Sequence, residues 1–468
     1  MRVAFSTLGC KVNHYETQAM EELFAKAGHD VVPFSSHADV YIVNTCTVTQ
    51  MSDKKSRQLL TRAHAQNPSA LIVAAGCYPA VAADEVAALK GVSLVIGNRD
   101  KPHIVRYCEQ ALSGQTNEES GDKSQTPSKT PCADETSRSG DWGEGELGAK
   151  THHSQNEDEQ TGIASGETSG AKKSQVPFFD LSATHDSRTR AMLKIQDGCN
   201  RFCSYCIIPF ARGNLSSRSM ESCEKELSAL VSAGYKEVVL AGIQLCAYRD
   251  GERDLLDVIR LSDALGVPRL RLGSLEPTFI TDEAVELLSK SRSLCRHFHL
   301  SLQSGSDSVL QRMNRRYTTD AFRSAVQKLR DAMPDCAVTT DIICGFAGET
   351  TAEHEASLSF VREIGFSRIH VFPYSRRAGT KAATFPGQLP KSVKAARTRE
   401  FLELGEELET AFIMRQKGTI HRVLMESDGT GYTENYVRVR VDGADGELIT
   451  VEITGQEGTL ATGRRIDQ

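Results

Sequence analysis

The chain has 468 residues, 39% of them hydrophobic, with 55 basic against 61 acidic side chains and a net charge of −6. That length accommodates two to four domains with real cores, and no apolar run is long enough to cross a bilayer. The N terminus lacks the charged, apolar and small-residue regions of a signal peptide, so a cytoplasmic location is expected. Thirteen cysteines in such a chain argue for metal or redox chemistry rather than a disulfide framework.

The first elements alternate, with strand patterns at 2–6, 40–44 and 71–75 and amphipathic helices at 16–27 and 52–65. Alternation of this kind predicts an open parallel α/β domain over residues 1–108. Cys10, Cys46 and Cys77 each follow one of the three strands. Open parallel sheets hold ligands beyond the carboxyl ends of their strands, so these thiols are expected to converge on one point.

Residues 109–186 lose periodicity and fill with Ser, Thr, Gly, Glu and Asp. They hold 15 acidic and 6 basic side chains, a net of −9, which leaves the rest of the chain at +3. Such a composition cannot bury enough apolar surface to order itself, and it reads as a disordered acidic linker. The slightly basic remainder is compatible with a nucleic-acid partner.

Six further strand patterns, at 192–195, 238–240, 270–272, 297–302, 338–344 and 369–372, each precede a helical pattern. Six such units make three quarters of a (β/α)8 barrel, so residues 187–410 read as a (β/α)6 partial TIM barrel. Its first strand runs into Cys199, Cys203 and Cys206, a CxxxCxxC spacing. Three thiolates leave one iron of a four-iron cluster without a protein ligand. That is the radical S-adenosylmethionine arrangement. The sulfonium cofactor chelates the open iron through its amino and carboxylate groups, and an electron from the cluster splits it into methionine and a 5′-deoxyadenosyl radical. A structural zinc site is the rival reading, but it needs a fourth Cys or His, and the loop contains no His.

Barrel enzymes place their chemistry at the carboxyl ends of the strands. Gln244, Ser274, Glu276, Gln303, Ser304 and Gly345 stand there as candidate cofactor contacts, with helix capping as the competing role. Arg312, Arg315 and Arg316 form a basic group after the fourth strand, suited to phosphate or carboxylate or to a solvated helix face. A charged helix at 392–415 leads to alternating segments at 436–441 and 448–453, which predict a small β-barrel over 411–468. Lys417, Tyr432, Tyr436 and Arg438 are its candidate RNA contacts.

Residues 6–13 (STLGCKVN), 43–49 (VNTCTVT), 76–77 and 198–213 together resemble the methylthiotransferases of the radical S-adenosylmethionine superfamily. The resemblance covers everything but the linker, which is longer than the family's usual connection. Within that family, the Cys10–Asn13 stretch, GSLEP at 273–277 and LSLQSGSD at 300–307 resemble the branch acting on N6-threonylcarbamoyladenosine at position 37 of tRNA. GFAGET at 345–350 resembles the family's glycine-rich segment, with Ala347 where Pro is usual. The resemblance implies two 4Fe-4S clusters, on Cys199, Cys203 and Cys206 and on Cys10, Cys46 and Cys77, with S-adenosyl-L-methionine as cofactor and an external electron donor. It implies that a methylthio group replaces hydrogen at C2 of the adenine, and that the C-terminal module is a TRAM RNA-binding domain. Methylthiolation of isopentenyladenosine or of a ribosomal-protein side chain is the alternative within the family. A non-catalytic RNA-binding protein with structural metal sites is the alternative outside it. Oligomeric state is left open.

Overall fold

A computed structural model describes residues 1–114 and 190–466, so the expected linker lies outside the described residues except at its start. There the helix Ile104–Ser113 runs on past residue 108. Fully buried Ile104 and Cys108 anchor it, and Glu109 pairs with His29 at 2.9 Å.

The N-terminal unit is a parallel five-stranded sheet of β1 (Arg2–Thr7), β2 (Asp30–Val32), β3 (Val40–Thr45), β4 (Leu71–Gly76) and β5 (Leu94–Ile96), in the order β2-β1-β3-β4-β5. β3 and β4 are buried along their whole length, as expected of central parallel strands covered on both faces. The edge strands β2 and β5, three residues each, are too short to carry a readable pattern. The first helix starts at Lys11 rather than at residue 16, because Cys10 takes an extended N-cap conformation (φ −81°, ψ 172°) that turns the chain directly into it.

The central unit has six parallel strands, β6 (Arg190–Lys194), β7 (Glu237–Ala241), β8 (Leu270–Leu272), β9 (His297–His299), β10 (Ala337–Cys344) and β11 (Arg368–Pro373). They form two ladders, β8-β7-β6 and β9-β10-β11, joined by single bridges such as Leu275 to Leu300, so the strands follow one another around an open barrel. Leu193, Leu240, Leu272, Phe298 and Ile342 belong to the core under the outer helices. By the two-residue period of a strand, the intervening Lys194, Glu237, Arg271, His297, His299, Asp341 and His370 face inward. Full eight-stranded barrels fill that space with branched apolar side chains, whereas here it is a polar chamber.

The helix Lys391–Arg415 leads to a closed barrel of β12 (Ile420–Met425), β13 (Thr430–Tyr432), β14 (Arg438–Arg440), β15 (Leu448–Glu457) and β16 (Leu460–Arg465). Its β13–β14 connection plugs the floor of the central barrel. Tyr436 stacks on Tyr432 and on His297 at centroid distances of 4.9 and 4.7 Å. The Arg271 and Arg190 guanidinium groups lie over Tyr436 and Tyr432 at 4.6 and 5.0 Å. Below them Glu237 is fully buried against Arg190, Arg269 and Arg271 at 2.6, 2.8 and 3.0 Å. Burial alone would raise its pKa, but Arg271 and Arg269 hold it down at about 2. Arg269 also donates to the carbonyls of Arg422, Tyr432 and Thr433. No helix among the described residues is long and apolar enough to cross a membrane.

Tyr436→Ala removes both stacking partners and the Arg271 contact, and should cost about 2 kcal/mol, measured as a lower denaturation midpoint of the full chain.

Candidate active site

β6 delivers the chain to Gly198, whose φ of +73° and whose 1.9 Å separation between an added Cβ and the Asn214 carbonyl exclude any side chain. The loop that follows is tied back at both ends. Cys199 N–H donates to Gly213 O, Ser204 N–H to Met313 O, and the Ser204 hydroxyl to Arg312 O. Cys199, Cys203 and Cys206 are free thiols. Burial raises the Cys199 pKa and pushes Cys206 up to about 12, with the neighbouring thiols adding to both shifts. Arg315 Nη1 lies 3.4 Å from Cys203 Sγ.

In the N-terminal sheet, Cys10 caps the helix Lys11–Lys26, Cys46 follows β3, and Cys77 opens the short helix Cys77–Val81 after β4. All three stand along the carboxyl-end edge of this sheet. Burial raises the Cys46 pKa, and Cys77 and Cys10 act in the same direction. A Cβ on Gly9 would meet Cys46 Cβ at 2.9 Å, so glycine permits the approach. Asn13 Nδ2 pins the Cys10 turn to Leu8 O and Thr45 O at 2.7 and 2.9 Å.

Burial and neighbouring thiols thus oppose ionisation of Cys46, Cys199 and Cys206, and a cationic metal centre relieves that opposition by taking the thiolate charge. No three Cys, His, Asp or Glu among the described residues are spaced for a single metal ion. A four-iron cube takes a different iron for each thiolate, and three thiols are what each set offers.

The helix Ile208–Arg212 stands between the triads. Asn98 Nδ2 reaches both Ala211 O (2.8 Å) and Cys77 Sγ (3.7 Å). Beneath that helix, Glu16 binds Lys101, Lys194 and Arg212 at 2.5, 2.7 and 2.9 Å, and Asp197 shares Lys194 and Arg212 at 2.6 and 3.1 Å. Arg212 also bonds Asn13 Oδ1 at 2.5 Å. Burial opposes charge on Glu16, yet Arg212, Lys101 and Lys194 hold its pKa well below the usual range. None of this network was evident in the sequence, since a buried ion pair leaves no periodic trace. A second tie, from Arg377 to Asp53 and Thr47, joins the same two units.

The sequence-predicted cofactor contacts scatter around the mouth. Gln244 and Gln303 are nearly buried, and Gln303 sits at φ +72°. Ser304 accepts from Ser306 N–H at 3.3 Å, while Ser274 is exposed. Glu276 forms a two-pronged pair with Arg201. Both line a cavity of about 200 Å³ with Cys203, Asn314, Arg315 and Arg316. Gly345 faces the C-terminal helix instead, where a Cβ would meet Lys394 Cγ at 2.6 Å. Arg312 is engaged by Glu353 at 2.8 Å. Of the candidate RNA contacts, Lys417 and Arg438 are exposed, Arg438 being paired with Asp428. Tyr432 and Tyr436 spend their faces on the barrel floor. Cys108, Cys223, Cys295, Cys336 and Cys344 are core residues, and Cys132 lies outside the described residues.

Sequence reading passed over one side chain of the chamber. Lys11, the residue after Cys10, is exposed but stands within the field of Arg271, Glu237 and Arg190, and crowding by protein together with Arg271 lowers its pKa. Nearby, His299 bonds Thr339 Oγ1 at 3.0 Å and Asp341 at 3.2 Å, and burial keeps His297 and His370 neutral.

Two family models match the chain, the uncharacterized protein family UPF0004 over residues 2–97 and the radical SAM superfamily over residues 193–361. The threonylcarbamoyladenosine tRNA methylthiotransferase MtaB of Bacillus subtilis is 38% identical, covering 96% of this chain and 93% of its own. Its namesake from Aquifex aeolicus is 33% identical, covering 97% and 100%. A tRNA-2-methylthio-N(6)-dimethylallyladenosine synthase from Thermodesulfovibrio yellowstonii is 29% identical, covering 96% and 95%. Among solved structures, the radical S-adenosylmethionine methyltransferase TsrM from Kitasatospora setae shares the fold, with a TM-score of 0.54 at 12% identity over 81% of this chain and 76% of that one. The chain belongs to the radical S-adenosylmethionine methylthiotransferases, in their threonylcarbamoyladenosine tRNA branch.

Glu16→Gln leaves buried Lys194 and Arg212 to Asp197 and buried Lys101 without a carboxylate, and should destabilise the protein by about 3–5 kcal/mol. Because the folded pKa lies below the ordinary 4.5, this contribution is complete above that pH and is lost as pH falls through the folded value. The gap in melting temperature between wild type and Glu16→Gln should therefore narrow once the pH drops below about 4.

Proposed function

We propose that this protein replaces the C2 hydrogen of N6-threonylcarbamoyladenosine at position 37 of tRNA with a methylthio group. The observation that carries the reading is the pairing of two three-thiol sites across the helix Ile208–Arg212, each at the carboxyl end of a parallel sheet. It is supported by relatives of that name at 33 to 38% identity over nearly the whole chain. On this reading Cys199, Cys203 and Cys206 hold the cluster that receives S-adenosylmethionine, and Cys10, Cys46 and Cys77 hold the second cluster. Bound there, the clusters and cofactor supply a carbon radical and the methylthio group, which C2 requires because it has neither an acidic proton nor a leaving group.

The remaining work falls to the protein's own side chains. Arg315 sets a positive charge beside Cys203. The Arg201–Glu276 pair narrows the mouth where Gln244, Ser274, Gln303 and Ser304 are the candidate cofactor contacts. The C-terminal barrel closes the floor of the chamber, so that oxygen and solutes that would consume a radical do not enter from that side. That barrel is the candidate TRAM module, with Lys417 and Arg438 offered to RNA phosphate. The protein is assigned to the cytoplasm and takes its electrons from a separate donor.

Nucleosides from tRNA of the host, compared with and without the gene by mass spectrometry, test the reading. Loss of the 2-methylthio derivative with accumulation of threonylcarbamoyladenosine is expected, and an unchanged profile refutes it. In the purified protein, Cys203→Ala should abolish reductive cleavage of S-adenosylmethionine. Cys77→Ala should retain cleavage and stop methylthiolation. Full product from either variant would overturn the assignment of the triads.

A further inference from the structure

We propose that Lys11 is the specificity-determining residue of this chamber, its ammonium binding the free carboxylate of the threonyl group carried by the target adenine. The proposal rests on the functional reading above and adds to it the feature of the substrate that is recognised.

Lys11 occupies a place that stability does not explain. It is the first residue of a 16-residue helix whose first turn holds no acidic side chain, and a cation at that end opposes the helix dipole. Among the described residues it forms no hydrogen bond or ion pair. The surrounding cations are all engaged. Arg190, Arg269 and Arg271 are bound to Glu237, Lys101, Lys194 and Arg212 to Glu16, and Arg368 lies 3.8 Å from Glu409. The acids of the chamber are equally spent, Glu237 on the three arginines and Asp341 on His299. Lys11 is thus an exposed cation within the field of Arg271, Glu237 and Arg190, with no carboxylate of its own. Nδ1 of His297, a residue 7% exposed in the same chamber, likewise has no hydrogen-bond partner.

The chemistry of the modified base supplies what is missing. C2 and N6 lie on one edge of adenine, on either side of N1. A base whose C2 faces the Cys10 turn therefore carries its N6 substituent alongside, where Lys11 stands. A threonylcarbamoyl substituent ends in a carboxylate and a hydroxyl. An isopentenyl substituent offers no charge and would enclose the ammonium unpaired, which penalises the wrong substrate.

The test uses the full-length, iron-reconstituted protein and two anticodon stem-loop RNAs, one carrying threonylcarbamoyladenosine and one carrying its methyl ester. Wild type should prefer the acid over the ester by about 30-fold or more in kcat/KM, the effect of removing one partner of an enclosed ion pair. Lys11→Met should lose that preference through a raised KM for the acid, with iron per chain at the wild-type level, and Lys11→Arg should restore it in part. A Lys11→Met protein that binds iron normally and keeps the wild-type acid-to-ester ratio would overturn the proposal. Should Lys11→Met fail to hold iron, the ratio in wild type and in Lys11→Arg decides, and equal use of the two RNAs overturns it. Absence of methylthiolation on both RNAs by wild type would instead refute the functional reading itself.

Discussion

Everything in this fold that bears on chemistry is referenced to the buried carboxylate of Glu16. It belongs to the helix that Cys10 caps, and its three cations come from three separate places: Lys101 before the last N-terminal helix, Lys194 at the end of β6, and Arg212 beyond the Cys199 loop. Apolar interfaces tolerate sliding and repacking. A carboxylate removed from water does not, because its desolvation is offset only when every partner is in place. The network therefore makes the relative placement of the two parallel sheets all-or-none, and with it the relative placement of the two thiol triads. Arg212 extends the link, since Asp197 and Glu16 hold it ionised beside the helix that Asn98 ties to Cys77.

The opposite end of the central barrel is closed by different means. Aromatic rings from the small terminal barrel stack beneath Arg190, Arg271 and His297, and the arginines are satisfied by Glu237. What remains between this floor and the triads is a chamber lined by the imidazoles of His297, His299 and His370, the engaged carboxylate of Asp341 and the unengaged ammonium of Lys11. Six strands rather than eight leave the wall open on one side, which suits a substrate attached to a large RNA.

The parts legible in the sequence are those with a local signature. Each barrel strand is an apolar run followed by a helical period, and all six lie within a few residues of their expected positions. The cysteines were legible because each triad is marked by spacing or by its place after a strand. Short edge strands such as Asp30–Val32 carry too few residues for a period to emerge. Tyr432 and Tyr436 were expected to meet bases, and they meet His297 and Arg271 instead. An exposed-looking aromatic in a β-barrel has the same pattern whichever partner it stacks on. Gly345 closes β10, where the strand-end rule placed it, and its lack of a side chain also admits the close approach of Lys394.

The sequence by itself determined the chemistry on offer: two sets of three thiols, a parallel sheet and a partial barrel to carry them, and strand ends as the place where they act. These follow from backbone periodicity and near-neighbour spacing, which any stretch of chain carries within itself. Only the tertiary structure decided that Arg212 would meet Glu16 across 196 residues, that the terminal barrel would floor the central one, and that Lys11 would be left unpaired in the chamber. Such pairings depend on how whole sheets pack, and on which charges burial forces to find one another, so no local pattern announces them.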